Sequence, residues 1–172
     1  PIRKIKLKMQ QVSIREVTSK DFDQITAIYN HYVQHTLITF DIEPYTLPQL
    51  AEKILSLQKD YPVLVAHDED TILGYAYAAA WKSKTAYKHS AETTIYMHPD
   101  HHGKGVGKRL YHSLLSSLPL YEIVNAIACI TVPNDTSIKL HQKLGFEKIG
   151  RFNKVGYKME QWIDVEYWQK HV

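Results

Sequence analysis

The chain has 172 residues, of which 44% are hydrophobic and 23% charged, and its formal net charge is +3 with histidine taken as neutral. This length and composition are typical of one water-soluble domain, and the small net charge argues against nucleic acid as the main partner. No apolar run approaches the roughly 18 residues that a membrane-spanning helix needs. We therefore expect neither nucleic acid nor a membrane among the partners.

The N-terminal segment is basic, but it lacks the apolar core and small-residue cleavage site of a secretory signal. We interpret residues 1–9 as a flexible or added extension and residues 10–172 as a single domain. Cys129, the one cysteine, lies in an apolar run, which predicts a buried structural thiol and a reducing, cytoplasmic compartment. The ten histidines are scattered without a recognised zinc spacing, so we expect no metal.

The first half of the chain alternates between strand and helix patterns. Residues 12–17 alternate in polarity and predict a strand, and Thr18 or Ser19 can cap a helix that runs to about Tyr32. Thr46 can start a second helix with one apolar face. The remaining patterns predict strands at residues 61–66, 72–81 and 92–97, a helix from 106 to 118, and a strand at 121–132.

The C-terminal third completes a mixed sheet. Asn134 or Asp135 can cap a helix that ends near Gly145, since glycine is a common C-terminal stop. Residues 146–151 and 156–168 resemble a closing antiparallel pair. The resulting order, β-α-α-β-β-β-α-β-α-β-β, indicates a mixed α/β fold in one domain. The aromatic cluster of Trp162, Tyr167 and Trp168 fits a core position or, alternatively, a dimer surface.

A glycine-rich turn at residues 103–107 follows a predicted strand and opens a predicted helix. Backbone N–H groups at a helix start have no partner in the helix and lie at the positive end of its dipole, so they suit a phosphate group. The spacing fits neither a Walker A loop nor a dinucleotide fingerprint. An ordinary tight strand-to-helix connection would have the same pattern.

The turn and a later segment carry a family resemblance. Residues 102–107 read His-Gly-Lys-Gly-Val-Gly, and Asn134 is followed by His141 and then by Gly145 and Phe146. This combination resembles the GNAT superfamily of acyl-CoA N-acetyltransferases. The resemblance implies a mixed, largely antiparallel central sheet of about seven strands flanked by about four helices.

A branch of that superfamily is a closer match over about residues 14–172. Its distinctive pieces here are Tyr29–Tyr32, Gly74–Ala78, Glu92–Tyr96 and Gly156–Lys158, together with histidine at position 141. They resemble the phosphinothricin N-acetyltransferase branch, whose members act on phosphinothricin, methionine sulfoximine or methionine sulfone. The resemblance implies acetyl-CoA as co-substrate, the α-amine of a small amino-acid-like compound as acceptor, and a homodimer in which the partner helps to close the acceptor pocket.

Two residues match catalytic positions of the branch. Glu92 is the expected general base, since the acceptor amine arrives mostly protonated. His141 would act either as a base together with Glu92 or as an acid towards the CoA thiolate. Without the resemblance, Glu92 would be interpreted as a structural carboxylate paired with a lysine and His141 as a half-buried helix residue.

The resemblance also implies two sets of binding residues. The expected acetyl-CoA contacts are Ile95, Tyr96, Met97, His102, Gly103, Lys104, Gly105, Val106, Gly107, Lys108 and Asn134. The expected acceptor contacts are Phe40, Lys82, Lys84, Thr85, Ala86, Tyr87, Tyr96 and Tyr111. Lysine and tyrosine side chains can pair with the carboxylate of an amino-acid acceptor. The alternatives are N-acetylation of another small amine or a peptide N-terminus, and a non-catalytic acetyl-CoA-binding sensor.

Overall fold

The computed structural model describes residues 12–101 and 105–172, so the predicted extension at residues 1–9 lies outside the described residues. Seven strands and four α-helices form one α/β unit. In chain order they are β1 (Ser13–Glu16), α1 (Phe22–His35), α2 (Leu47–Leu57), β2 (Val63–Asp68), β3 (Thr71–Ala80), β4 (Ser90–Met97), α3 (Val106–Ser117), β5 (Asn125–Val132), α4 (Asp135–Lys143), β6 (Glu147–Lys158) and β7 (Gln161–His171).

The strands form a single sheet in the order β1-β2-β3-β4-β5-β7-β6. Every neighbouring pair is antiparallel except β4 and β5, which run parallel. The prediction of a mixed, largely antiparallel sheet with about seven strands and four helices is therefore confirmed. No helix within residues 12–101 and 105–172 is long and apolar enough to cross a bilayer.

The sheet separates two hydrophobic clusters because alternate residues of a strand point to opposite faces. On β2, Val63 and Val65 pack with residues of α1 and α2, whereas Leu64 and Ala66 pack with residues of α3. We call these sides the α1–α2 face and the α3 face. Leu140 of α4 packs on the α3 face as well.

Side-chain caps set the starts of two helices. The Thr46 hydroxyl accepts from the Gln49 N–H in a capping box, so α2 begins at Leu47 as predicted. Asn134 rather than Asp135 caps α4, because its Oδ1 accepts from the Ser137 N–H at 3.2 Å. Thr18 caps a short 3₁₀ turn, and α1 begins only after that turn, at Phe22.

The predicted start of β5 was too early. The chain forms a 3₁₀ turn at Leu118–Tyr121, in which Pro119 lies near the start. Glu122 then takes a left-handed conformation with φ of +58°. Because this conformation interrupts an extended chain, β5 begins only at Asn125.

The predicted break in the closing hairpin was also wrong. β6 continues through the predicted gap to Lys158, and a register shift between Phe152 and Gly156 absorbs the irregular residues. The reversal occurs at Met159 and Glu160, which both have positive φ. The aromatic cluster divides at this hairpin: Trp168 is buried, while Trp162 is 63% exposed and contacts the Tyr157 ring.

We expect Asp21→Asn to lower the free energy of unfolding by about 1–3 kcal/mol. The buried Asp21 carboxylate accepts two hydrogen bonds from Arg15, at 2.7 and 2.8 Å, and two from Thr18. Burial alone would raise the pKa of Asp21, but these hydrogen bonds lower it below its ordinary value. The carboxylate therefore stabilises the fold above the unfolded-state pKa, and this contribution is lost as the pH falls through the folded-state pKa.

Denaturant titration of the wild type and of Asp21→Asn at several pH values measures this effect. The two stabilities should converge in acid. The exposed Asp60→Asn is the matched control and should change stability by less than about 0.5 kcal/mol. A difference between wild type and Asp21→Asn that stays constant down to strong acid would contradict the assigned role.

Candidate active site

A gap in the sheet separates the C-terminal parts of β4 and β5. Their parallel pairing ends at Glu92 and Ile127. Beyond that point, β4 remains paired to β3 as far as Met97, and β5 remains paired to β7 as far as Val132. Because each strand stays with its other neighbour, the two diverge and leave a wedge-shaped opening.

Backbone groups of β4 line this opening. The His98 N–H donates to the Leu73 carbonyl at 2.8 Å, and successive residues of an antiparallel ladder direct their backbone groups to alternate sides. The N–H groups of Ile95 and Met97 therefore point into the gap. The backbone of Tyr96, which was predicted to join them, faces β3, and its ring is 8% exposed.

Two cavities extend from the gap. The outer one, of about 510 Å³, lies beside Ile95 and is bounded by Tyr32 of α1 and Leu140 of α4. The inner one, of about 60 Å³, lies between β4 and β5 and reaches His141. Asn134 lines both cavities, and His141 lines the inner one together with it.

Gly107, at the start of α3, lies against the end of β4, and that end lines the outer cavity. Gly105 precedes α3 with φ of +71°, a left-handed conformation that favours glycine. A Cβ on Gly107 would approach the sulfur of the last β4 residue to 3.4 Å, so the first turn of α3 lies against the end of β4. Lys108 is exposed on that turn. The predicted contacts at 102–104 lie outside the described residues.

Glu92 lies half-buried on the α1–α2 face, where the β4–β5 pairing ends. Burial raises the pKa of Glu92 above its ordinary value, and a hydrogen bond from the Cys129 thiol and the charge of Lys82 oppose that rise. Tyr77 is also close to Glu92, and burial raises the pKa of its phenol to about 12. A carboxylate that titrates above its usual range thus lies beside a neutral phenol and a thiol.

His141 is buried in α4 with both ring nitrogens bonded. Its Nδ1 lies 2.7 Å from the Ser137 carbonyl oxygen, which can only accept, so Nδ1 carries the hydrogen. The Tyr111 hydroxyl lies 3.0 Å from Nε2 and therefore donates to it. The Thr93 hydroxyl follows at 2.7 Å from that of Tyr111. Burial lowers the pKa of His141, and the hydrogen bond to Ser137 only partly opposes this.

Glu92 and His141 lie on opposite faces of the sheet. Glu92 points to the α1–α2 face, and the next residue, Thr93, points to the α3 face, where it contacts the Tyr111–His141 pair. The structure therefore brings both residues to the gap without direct contact between them. Tyr111, predicted to contact the acceptor, is completely buried and lies behind His141.

Of the eight predicted acceptor residues, Tyr96 and Tyr111 are buried and the other six are exposed. Phe40 is 42% exposed and packs against β6, where a Cβ on Gly156 would lie under 3.0 Å from three of its ring atoms. The Lys158 ammonium donates to the Thr39 carbonyl at 2.8 Å and so fixes the segment that carries Phe40. Lys82 acts on Glu92 through its charge. The other four predicted residues are exposed on the loop after β3: Lys84, Thr85, Ala86 and Tyr87.

Tyr77 and Cys129 are site residues that the sequence did not reveal. Tyr77 shares a sheet face with Glu92 because its pair partner, Thr94, is two residues beyond Glu92. Cys129 was predicted as a buried structural thiol, but it is half-buried and lines the inner cavity. Burial and then the charge of Glu92 raise the pKa of the Cys129 thiol to about 12. It therefore stays protonated and is a poor nucleophile.

Comparison with known proteins places the chain in a family. Residues 14–167 match the acetyltransferase (GNAT) domain, so the chain belongs to the GNAT acetyltransferase family. The phosphinothricin N-acetyltransferase of Streptomyces viridochromogenes is 37% identical over 159 residues, which cover 92% of this chain and 87% of that protein. The L-methionine sulfoximine/L-methionine sulfone acetyltransferase of Salmonella typhimurium is 32% identical, with coverage of 92% and 93%.

A solved structure agrees with this assignment. The phosphinothricin acetyltransferase of Sinorhizobium meliloti in complex with AcCoA has a TM-score of 0.90 at 32% identity, covering 94% of this chain and 88% of that one. The family and the acetyltransferase class predicted from the sequence are confirmed. Among the side chains of residues 12–101 and 105–172, no group of three or more His, Cys, Asp or Glu is placed to hold a metal ion.

We expect His141 to be a neutral imidazole with its hydrogen on Nδ1 at neutral pH. The Ser137 carbonyl fixes that tautomer, and burial lowers the pKa of the ring. Long-range ¹⁵N–¹H correlation spectra of the imidazole distinguish the protonated from the unprotonated nitrogen. In Tyr111→Phe, the Nε2 resonance should shift while Nδ1 stays protonated. An imidazolium, or an Nε2–H tautomer, would contradict the geometry.

Proposed function

We propose that the protein transfers an acetyl group from acetyl-CoA directly to the α-amine of a small amino-acid-like compound. The observation that carries this proposal is Glu92, a carboxylate with a raised pKa where β4 and β5 separate. The relatives named as phosphinothricin and methionine sulfoximine/sulfone acetyltransferases support the acceptor class.

The acetyl-CoA site would extend from the glycine turn into the gap. Acetyl-CoA supplies an activated acetyl thioester, and an extended chain beside a strand can be bound through backbone hydrogen bonds. The N–H groups of Ile95 and Met97 have the orientation for such contacts, and Asn134 lines both cavities. The first turn of α3, with Gly105 and Gly107, would bind the diphosphate together with the predicted residues of the turn before it.

Glu92 would remove the proton from the acceptor amine. An effective base has a pKa near the working pH, and burial moves the pKa of Glu92 in that direction. Lys82, whose charge already acts on Glu92, would pair with the acceptor carboxylate. Phe40, Tyr96 and the loop from Lys84 to Tyr87 remain the proposed walls of the acceptor site.

His141 would act through hydroxyl groups rather than by direct contact with Glu92. Its Nε2 accepts from Tyr111, whose hydroxyl in turn contacts that of Thr93 beside the gap. This chain of hydroxyls can carry a proton between the inner cavity and the imidazole. The same chain, used in the opposite direction, would return a proton towards the departing thiolate.

The hairpin of β6 and β7 is the proposed homodimer surface. Its outer side exposes large apolar side chains that a partner could cover. They are Val155, Tyr157, Met159 and Trp162. Sedimentation equilibrium of the purified chain would measure the assembly state.

We expect Glu92→Gln to lower kcat about 100-fold or more, because an amide cannot accept the amine proton. Acetyl-CoA affinity should stay nearly unchanged. In the wild type, kcat/KM should fall as the pH drops through the raised pKa of Glu92. In Glu92→Gln this decrease should disappear, and only the pH dependence caused by protonation of the acceptor amine should remain. The exposed Glu52→Gln is the control and should keep both rate and profile. Wild-type rates in Glu92→Gln would exclude the base assignment.

A panel of acceptors tests the reaction itself. Release of free CoA thiol would be measured with methionine sulfone, methionine sulfoximine, phosphinothricin, other small amines and a peptide with a free N-terminus. Turnover of the amino-acid-like compounds supports the proposal. Turnover of the peptide or of other amines alone would assign a different acceptor class. Binding of acetyl-CoA without turnover of any acceptor would indicate a sensor.

A further inference from the structure

An aromatic pocket lies between the loop after β3 and strands β5, β6 and β7. It has a volume of about 470 Å³ and is lined by four aromatic residues: Trp81, Phe152, Tyr167 and Trp168. The Trp81 and Tyr167 ring centroids are 5.5 Å apart, and those of Tyr167 and Phe152 are 5.4 Å apart, both edge to face. A concave, mostly apolar site of this size is typical of a small-molecule pocket.

The pocket begins beside Glu92. Ile127 lines it and is the direct strand partner of Glu92, so the two side chains share the α1–α2 face. Tyr167 also lines the pocket. Its strand partner is Cys129, whose thiol forms a hydrogen bond with Glu92. The aromatic pocket and the proposed base are therefore neighbours on one face of the sheet.

The one lysine of the pocket links it to the acceptor site. Lys82 lines the pocket, with its ammonium 4.8 Å from the Trp81 ring centroid, and its charge acts on Glu92. An α-amino acid whose amine faces Glu92 and whose carboxylate faces Lys82 would direct its third substituent towards the rings.

Two other polar side chains of the pocket already have protein partners. The Arg151 guanidinium forms a salt bridge with Asp164. The Gln169 amide donates to Asn125 at 2.9 Å. A charged or strongly polar acceptor side chain would compete with these contacts, whereas an apolar side chain would gain burial against the rings without breaking them.

We propose that the aromatic pocket binds the acceptor's side chain and that the preferred acceptors are α-amino acids with a large apolar side chain, such as phenylalanine or tryptophan. This inference rests on the proposed function, since it assumes that Glu92 receives the amine. Beyond that function, the inference specifies which kind of side chain the acceptor carries. Phosphinothricin, with its anionic side chain, is then a poorer acceptor than phenylalanine.

Gly150 allows the pocket to be filled without disturbing the fold. It lines the pocket, and a Cβ added there meets no atom within 4 Å. Its strand partner is Tyr167, so a new side chain would lie on the same face as the rings. Gly150→Leu therefore places bulk in the pocket, and Gly150→Ala is the matched control with the same backbone change and little added volume.

The test is the kcat/KM of thiol release with L-alanine, L-phenylalanine, L-tryptophan, methionine sulfone and phosphinothricin. For the wild type, we expect L-phenylalanine to exceed L-alanine and phosphinothricin by roughly tenfold or more. Gly150→Leu should lower the value for L-phenylalanine by roughly tenfold or more and leave that for L-alanine within about twofold. Gly150→Ala should resemble the wild type.

The outcomes separate this inference from the proposed function. Acetylation of methionine sulfone and phosphinothricin without a preference for L-phenylalanine, and without an effect of Gly150→Leu, would overturn the pocket assignment and leave the proposed function intact. No acetylation of any amino acid would overturn the proposed function. Light scattering must give the same mass for Gly150→Leu and wild type. A change in mass would show that a second copy covers the pocket and would also overturn the assignment.

Discussion

The loss of pairing between β4 and β5 is the constraint on which the site depends. A sheet satisfies its backbone groups by pairing each strand on both sides, but here two central strands separate after Glu92 and Ile127. The fold tolerates this because β3 and β7 hold the separated strands on their outer edges. As a consequence, the backbone N–H groups of Ile95 and Met97 point into the gap, where a bound molecule could accept hydrogen bonds from them.

The same gap connects two chemically different faces of the sheet. Glu92 points to the α1–α2 face, where burial raises its pKa, and Thr93 points to the α3 face, where hydroxyl groups lead to a neutral His141. Because alternate residues of a strand point to opposite faces, the adjacent residues Glu92 and Thr93 lead to two different sides of the sheet. An acceptor would approach on the Glu92 side, and the acetyl thioester would lie between the faces.

Local sequence signals predicted the parts of the fold that have local causes. The Thr46 and Asn134 caps and the start of α3 at Val106 each depend on a few neighbouring residues, and each agrees with the structure. The closing hairpin did not follow such signals. Glycine at position 156 suggested a boundary, but it lies within β6, where the Phe40 ring takes the space of a side chain.

The site itself could be predicted only in part. A motif can name Glu92 and His141, but it cannot say which face of the sheet each one occupies, because this depends on strand register. The aromatic pocket was harder still to predict, because its aromatic residues come from the loop after β3, from β6 and from β7, which are far apart in the sequence. Nothing local indicates that Trp81, Phe152 and Tyr167 meet next to Glu92.

Amide spectra of the ¹⁵N-labelled chain would show whether backbone groups in the gap bind acetyl-CoA. On titration with acetyl-CoA, we expect the largest shifts and the slowest hydrogen exchange at Ile95 and Met97, with smaller effects at Thr94 and Tyr96, whose amides face β3. Saturable binding that leaves the Ile95 and Met97 amides unchanged would contradict this expectation.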